Sequence, residues 1–266
     1  MKKGLLVLSF CLLNLNLAFA QSPSCSPSAG QVTLKQAIKW YRDSAEQTAL
    51  YRQAYNAGTD YVENWVKVKH PQPKTWGVVL DIDETTLDNS WYFFRCDDVA
   101  DKEADFEHFV TIQQKSVALP GVVEFTHRVH QLGGYVSLVS NRDGSYRDST
   151  GASLAATVAN LKQQQVEFDQ VILANYKSSP KPTDKNPRFQ AVITGRYDPK
   201  EMVWTNTLPA HQVIAYFGDN IQDFPKFKQA KMDVLAKNSK EFGIFGRGYF
   251  ILPNPMYGSW EVNLYH

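Results

Sequence analysis

The stretch Val78-Val79-Leu80-Asp81-Ile82-Asp83-Glu84-Thr85-Thr86-Leu87-Asp88 decides the fold class of this 266-residue chain. Its first three residues form a short aliphatic run that is typical of a buried parallel β-strand. Side chains that follow such a strand emerge at the carboxyl edge of the sheet, where open α/β folds usually bind ligands. We therefore expect the carboxylates of Asp81 and Asp83 to meet at a ligand site. For these two residues alone, a surface turn with capping acids is the alternative.

Two carboxylates this close repel each other, and a bound cation or a proton on one of them relieves the repulsion. One ionised, metal-bound acid beside one protonated acid suits a nucleophile paired with a general acid.

Residues 1–20 are predicted to be a secretory signal peptide. Lys2 and Lys3 precede an apolar stretch, and Ala18-Phe19-Ala20 provides a small-x-small cleavage site. The stretch is shorter than the ~18 residues that a spanning helix needs, so we expect no membrane span. The protein is predicted to be exported, either to the periplasm or out of the cell.

Composition limits the class of the exported chain. Apolar residues make up 43% and aromatic residues 13%, enough for a substantial core. Removal of Lys2 and Lys3 leaves 26 basic and 27 acidic residues without a basic stripe, so no nucleic acid polymer is expected as a partner. Cys25 and Cys96 remain, and either a disulfide or two free thiols fits the sequence.

The segment 21–75 is predicted to be a linker followed by helices. A capping box at Thr33-Leu34-Lys35-Gln36 precedes apolar residues at helical spacing that run on to Ala49. A second helical stretch around Tyr61–Val66 is expected to stop before Pro71.

From residue 76 to 266 the pattern predicts an α/β core with a parallel sheet and helices on both faces. The predicted strands are Val78–Asp81, Tyr135–Ser140, Val171–Leu173, Val213–Gly218 and Tyr249–Leu252. The predicted helices are Gly121–Leu132, Gly151–Gln165, Pro187–Thr194 and Phe224–Lys231. The segment from about 89 to 119 is too long for an ordinary loop and is expected to form a small, mostly helical cap.

Three later segments place hydroxyl, amide, lysine and carboxylate side chains at the same carboxyl edge of the sheet. Ser140 and Asn141 end the second strand and can hydrogen-bond a phosphate oxygen. The segment Tyr176–Phe189 supplies several lysines. Asp219 and Asp223 follow Gly218, and carboxylate oxygens with few other protein ligands suit Mg²⁺.

In this order the motifs resemble those of the haloacid dehalogenase (HAD) superfamily of phosphatases, and more closely the class C bacterial acid phosphatases and 5′-nucleotidases. The matching residues are Asp81 to Thr85 with Leu87 to Ser90, Leu119-Pro120-Gly121 leading to Phe125, Ser140-Asn141-Arg142, Gly218-Asp219-Asn220 with Asp223-Phe224, and Leu252 to Glu261. The resemblance implies a Rossmann-like core and a reaction through an aspartyl-phosphate.

Carried over by position, the resemblance implies catalytic roles for Asp81, Asp83, Ser140 and Lys185 and a substrate-binding role for Asn141. Asp81 resembles the nucleophile, and Asp83 resembles the acid that protonates the leaving group and then activates water. Ser140 and Asn141 resemble the phosphate-binding pair.

The resemblance also implies a Mg²⁺ site and a catalytic lysine. Asp81, the Asp83 carbonyl and Asp219 resemble the metal ligands, with Asp223 supporting the water shell of the ion. Lys185 best matches the lysine of the third motif, because Lys185-Asn186-Pro187-Arg188-Phe189 repeats the Lys-x-x-Arg-Phe spacing of the family. A longer segment than expected follows, around residues 195–209, which leaves Lys177 or Lys181 as substitutes.

Family members hold a nucleobase between two aromatic rings, and Phe106 and Tyr257 occupy those places. The expected substrates are small phosphomonoesters, in particular nucleoside 5′-monophosphates. Two alternatives remain: a broad acid phosphatase without nucleotide preference, and a non-catalytic storage or binding protein on the same fold. Neither the oligomeric state, the preferred base nor the pH optimum follows from the sequence.

Overall fold

The computed structural model of the protein describes residues 32–95, 102–149, 151–232 and 234–263. The predicted signal peptide, the linker that follows it, Cys25 and Cys96 lie outside the described residues. Within the described ranges, every helix is too short or too polar to cross a membrane.

Two helices precede the sheet, α1 (Val32–Asp43) and α2 (Ala45–Lys69). The expected continuous helix through Ala49 is wrong, because Ser44 interrupts it and its side chain caps α2 by accepting from the backbone N–H of Gln47 at 3.1 Å. The capping box expected at Thr33 does not begin α1, since the helix already includes Val32.

A six-stranded sheet forms the centre of the molecule, in the spatial order β10-β9-β1-β4-β7-β8. Its strands are β1 (Trp76–Leu80), β4 (Tyr135–Asp143), β7 (Gln170–Ala174), β8 (Met202–Trp204), β9 (Gln212–Gly218) and β10 (Tyr249–Ile251). All neighbours pair in parallel except β8, which runs antiparallel to β7. The predicted α/β class with a parallel sheet is therefore confirmed. Strand β8 adds an edge strand within the unexpectedly long segment around residues 195–209.

Alternate residues of β1 face two different helical layers, because successive side chains of a strand point to opposite faces. Val78 and Leu80 belong to one core cluster with residues of α2 and α5 (Val122–Gln131). Val79 packs in a second cluster with Phe189 and Val192 of α7 (Asn186–Thr194). The remaining helix of the core, α6 (Ser153–Gln163), follows the short hairpin β5 (Arg147–Asp148) and β6 (Gly151–Ala152).

The inserted segment lies between two short antiparallel strands, β2 (Leu87–Asp88) and β3 (Val117–Ala118). It contains α3 (Ser90–Arg95), α4 (Lys102–His108) and one π-helical turn, Phe109–Gln113. Tyr92, Phe109 and Val110 form a small apolar core of their own, with Phe93 and Phe106 packed against it. The segment therefore behaves as a helical cap attached next to the loop that follows β1.

The helix predicted at Phe224–Lys231 is largely wrong. Phe224 is fully buried in an extended conformation, and Lys226 adopts a left-handed φ of 69°. Only α8 (Gln229–Met232) is helical in that range, after a 3₁₀ turn at Ile221–Asp223. Pro225 disfavours a helical conformation at the residue before it, so Phe224 is extended while its ring is buried in the core.

Candidate active site

The chain turns sharply as it leaves β1. The Ile82 carbonyl accepts the backbone N–H groups of Thr86 and Leu87, both at 2.8 Å. The Thr86 hydroxyl donates to the Asp81 carbonyl at 2.6 Å, and the Asp81 N–H donates to the Phe217 carbonyl of β9 at 2.9 Å. These bonds hold Asp81 and Asp83 at the carboxyl edge of the sheet, as their position after a buried strand predicts.

Tyrosines of α2 support this loop from behind. The Tyr51 hydroxyl donates to the Glu84 carbonyl, and the Tyr55 hydroxyl donates to the Thr85 carbonyl at 2.8 Å. Glu84 has a left-handed φ of 51°, a conformation that a non-glycine residue keeps only when its surroundings enforce it. The Glu84 carboxylate accepts from the Asn89 N–H at 2.8 Å and from the Tyr257 hydroxyl, so the loop is tied to the cap and to the C-terminal tail.

Three carboxylates meet beside this loop: Asp81, Asp219 and Asp223 each place one oxygen within 4.8 Å of the others. Gly218 allows the approach of Asp223, because a Cβ at position 218 would lie 2.2 Å from the Asp223 Cβ. Nζ of Lys185 is 2.6 Å from both Asp81 Oδ1 and Asp223 Oδ1, and it donates a hydrogen bond to the latter.

Burial and mutual repulsion control the protonation of this group. Burial, together with the negative charges of Asp223, Asp219 and Asp83, raises the pKa of Asp81 well above its usual range, although the Lys185 ammonium opposes the rise. Burial and the adjacent Asp223 raise the pKa of Asp219 to about 7. One lysine cannot balance three ionised carboxylates, so the raised pKa values favour the protonated, neutral forms of Asp81 and Asp219.

The donor set fits a hard divalent cation. The three acids offer only oxygen ligands, and their oxygens are close enough to bind a single ion. A cation between them would lower each raised pKa by favouring the ionised carboxylate. Asp81, Asp219 and Asp223 are therefore the residues that could hold a metal. The Asp83 side chain is not part of this group, and the expectation that Asp83 contributes its carbonyl stays a prediction.

The Asp83 carboxylate instead faces a buried arginine. Arg142 donates to it through Nε at 3.0 Å and through a terminal nitrogen at 2.7 Å, and Asn89 donates at 2.6 Å. Arg142 is only 2% exposed. Sequence analysis assigned no role to Arg142, although it stands directly after Ser140 and Asn141 in a matching motif.

Ser140 and Asn141 occupy different layers of the site. The Ser140 hydroxyl is buried beneath Asp83 and donates to its carboxylate at 3.3 Å. Asn141 lines the cavity in front of the carboxylates.

Lys177 and Lys181, the substitutes considered for Lys185, are both exposed, whereas Lys185 is buried among the acids.

A cavity of about 220 Å³ opens in front of these groups. Its core side is lined by Asp81, Asp83, Asn141, Arg142, Lys185, Asp219 and Asp223, among others. Phe106 of α4 and Tyr257 of the tail also line the cavity, which brings the two predicted stacking residues to the same place. Phe93 packs on the Tyr257 ring with centroids 4.7 Å apart, a support that sequence analysis did not identify.

Glu107 connects the cap to the core at the wall of the cavity. Its carboxylate accepts the Asp143 backbone N–H at 2.7 Å and the Ser153 hydroxyl at 3.2 Å. Burial raises the pKa of Glu107 to about 7, although the Asp143 N–H and Arg142 favour its charged form. Sequence analysis missed this residue, since a single glutamate beside Phe106 carries no distinguishing pattern.

Replacement of Glu107 by glutamine is expected to stabilise the protein at pH 8 but not at pH 5. A glutamate with a raised folded pKa binds its proton more tightly in the folded state, so stability falls as pH rises from about 4.5 to 7. Between these pH values the free energy of unfolding of the wild type should fall by up to about 3 kcal/mol, at about 1.4 kcal/mol per pKa unit. That of the variant should not fall for this reason, because glutamine does not titrate. Melting temperatures at the two pH values measure the difference.

Glu124→Gln is the matched control for this prediction. Glu124 is exposed, and its hydrogen bond with Arg52 lowers its pKa, so its charge does not change between pH 5 and 8. The Glu124→Gln substitution should therefore change the melting temperature by the same amount at pH 5 and at pH 8. A Glu107→Gln effect that is equally independent of pH would contradict the prediction.

Comparisons with known proteins agree with this geometry. A sequence model of the HAD superfamily, subfamily IIIB (acid phosphatase), matches residues 14–260. The structure of the class C acid phosphatase from Bacillus anthracis is similar, with 26% identity, a TM-score of 0.64 and 86% of each chain covered. A structure of the class C acid phosphatase from that organism with tungstate bound gives 27% identity and a TM-score of 0.63, covering 87% of this chain and 88% of the other.

The family match covers almost the whole described core and includes every segment that contributes to the cavity. The parallel sheet, the acids at its carboxyl edge and Lys185 beside them are compatible with phosphomonoester hydrolysis. The chain therefore belongs to the HAD superfamily, subfamily IIIB, and is an acid phosphatase of the class C type.

Proposed function

We propose that the chain is an exported, Mg²⁺-dependent phosphatase that hydrolyses nucleoside 5′-monophosphates and other small phosphomonoesters. The observation that carries this proposal is the position of two aromatic rings, Phe106 and Tyr257, in the same cavity as Asp81 and Lys185. The signal-like residues 1–20 support export. The Bacillus anthracis structure with bound tungstate, an oxyanion analogous to phosphate, supports an oxyanion site in this family.

In the proposed reaction Asp81 attacks the phosphorus in line with the leaving oxygen. The P–O bond to the leaving group breaks, and Asp83 gives that oxygen a proton, which leaves an aspartyl-phosphate on Asp81. Asp83 then takes a proton from water, which attacks phosphorus, releases orthophosphate and restores Asp81. Arg142, Asn89 and Ser140 keep the Asp83 carboxylate oriented for both transfers.

Lys185 and Asn141 are proposed to hold the transferred phosphoryl group. Lys185 is buried between Asp81 and Asp223, where its charge can balance a phosphate oxygen as well as the acids. Asn141 can donate an N–H from the wall of the cavity. Mg²⁺ bound by Asp81, Asp219 and Asp223 would supply further positive charge beside the phosphate.

Tyr257 is well suited to hold a base because its ring is fixed. Its hydroxyl is bonded to Glu84, and Phe93 packs on its ring. A fixed ring loses little conformational freedom when a base stacks on it, and stacking depends little on which base is present. This feature favours a nucleotide over a phosphate ester without a flat leaving group.

Replacement of Phe106 or Tyr257 by alanine should raise KM for AMP by roughly tenfold, if about 1.4 kcal/mol of stacking is lost. Hydrolysis of a small phosphate ester without a base should hardly change, because the acids and Lys185 remain in place. Steady-state kinetics on both substrates test the proposal. Tyr257→Phe is the matched control: it keeps the ring and the contact with Phe93, removes the hydroxyl and should raise KM for AMP far less than alanine does.

The comparison between the two substrates decides the outcome. An equal loss on both would indicate that the rings pack the cap, since Phe106 also lies near Phe109 with centroids 6.4 Å apart. The chain would then be a broad acid phosphatase without nucleotide preference. Unchanged kinetics on both substrates would show that neither ring contributes to substrate binding.

A further inference from the structure

Arg188 is a buried cation near the cavity that has no anionic partner in the described part of the chain. It is 1% exposed and lies on α7, three residues after Lys185. The two other buried cations of this region are paired: Arg142 contacts Asp83 at 2.7 Å, and Lys185 contacts two acids at 2.6 Å. No carboxylate among the described residues lies within 4 Å of the Arg188 guanidinium.

The hydrogen bonds of Arg188 go to neutral oxygens. One terminal nitrogen donates to the Pro182 carbonyl at 2.9 Å, and the other donates to Oδ1 of Asn141. Nε has no partner among the described residues. A buried charge without an adjacent counter-ion is unfavourable, and burial lowers the pKa of Arg188 to about 10. This lowering of the pKa is opposed by the more distant charges of Asp81, Asp184 and Glu201.

The contact with Asn141 fixes the orientation of its amide. A guanidinium group can only donate, so the oxygen of the amide must face Arg188 and the nitrogen must face the other way. One N–H of that nitrogen reaches the Thr183 carbonyl at 3.3 Å, and an amide nitrogen carries two. Asn141 lines the cavity, so its second N–H is available to an oxygen acceptor bound there.

We propose that Arg188 is a positioning residue of the phosphate site, which acts on the substrate through Asn141. It holds the Asn141 amide with the nitrogen toward the phosphate, and its charge polarises that amide so that the N–H becomes a stronger donor. This inference rests on the phosphate-binding role proposed above for Asn141. The ligand that balances the unpaired charge is the phosphate dianion.

Binding of orthophosphate, the product of the reaction, provides a test that does not depend on turnover. Calorimetry at a fixed Mg²⁺ concentration should show at least roughly tenfold weaker binding by Arg188→Met than by the wild type, since a hydrogen bond that involves a charged group is lost. KM for a phosphate ester should rise in parallel with little change in kcat. Arg196→Met, an exposed arginine beyond the end of α7, is the matched control and should bind orthophosphate normally.

Arg188→Lys covers the case in which the methionine variant does not fold. Lysine keeps the charge but cannot reach Pro182 and Asn141 together as a planar guanidinium does, so binding should weaken by a few-fold. A lower melting temperature with unchanged orthophosphate affinity, in whichever variant folds, would overturn the proposal and leave Arg188 a structural residue.

Asn141→Ala separates this proposal from the one on which it rests. If Arg188 acts through Asn141, its replacement should cost less orthophosphate affinity in the Asn141→Ala background than in the wild type. Losses that simply add would overturn the coupling between the two residues. Normal orthophosphate binding by Asn141→Ala alone would instead refute the phosphate-binding role of Asn141, and with it the basis of this inference.

Discussion

Asp81→Asn is expected to abolish phosphatase activity, with kcat lowered by at least about a thousandfold. The amide of asparagine does not attack phosphorus, so no aspartyl-phosphate forms. The variant should fold normally, because the backbone N–H and carbonyl of residue 81 keep their bonds to Phe217 and Thr86. Initial rates on an aryl phosphate and the melting temperature measure both effects.

Stability should even rise slightly in this variant. Burial and three neighbouring acids raise the pKa of Asp81, so a neutral side chain of the same shape relieves repulsion in the folded state. Asp43→Asn, an exposed change at the end of α1, is the matched control and should retain full activity. If Asp81→Asn kept a tenth of the wild-type rate, the nucleophile would lie elsewhere.

The core of the fold could be predicted from the sequence because buried parallel strands and their polar ends produce a local signal. Val78 to Leu80 form an uninterrupted aliphatic run, and all five residues of β1 are buried. Asp81 and Asp219 each follow such a strand directly, so their meeting at one edge depends only on the parallel topology.

Other elements depend on features that the spacing of apolar residues does not contain. Strand β8 has three residues, too few for a visible alternation, and exists because it pairs with the edge of β7. The sequence around Phe224 has helix-forming residues, but Pro225 favours an extended conformation at Phe224, whose ring is buried in the core. Ser44 breaks the N-terminal helix although the apolar spacing continues across it.

Within the candidate site, the missed residues act on partners far away in sequence. Arg142 contacts Asp83 across 59 positions, and Arg188 contacts Asn141 across 47. Glu107 accepts from Asp143 and Ser153 of the core. A sequence motif specifies residue types at a fixed spacing along the chain. The roles of these residues depend instead on contacts between segments that are distant in sequence.

Removal of divalent cations is expected to reduce activity to background, and Mg²⁺ should restore it. Lys185 cannot balance Asp81, Asp219 and Asp223 when all three are ionised, and a phosphate dianion adds more negative charge. A divalent cation offsets this repulsion, and Mg²⁺ suits a site made of carboxylates and water. Activity after chelation, dialysis and addition of each metal ion gives the measurement, with elemental analysis to verify that the protein is free of metal.

Asp219→Ala provides the more specific form of this prediction, because it removes one ligand and leaves the nucleophile intact. Asp219 receives hydrogen bonds from Thr85 at 3.1 Å and Asn254 at 2.9 Å, which hold its carboxylate toward the other two acids. The variant should need much more Mg²⁺ for half-maximal activity.

Mg²⁺ should raise the melting temperature of the wild type by mass action but raise that of Asp219→Ala only at higher concentrations. The thermal measurement does not require turnover, so it separates loss of the ion from loss of chemistry. Full activity of the wild type after exhaustive chelation, with no metal detected, would show that Lys185 alone balances the acids and the phosphate.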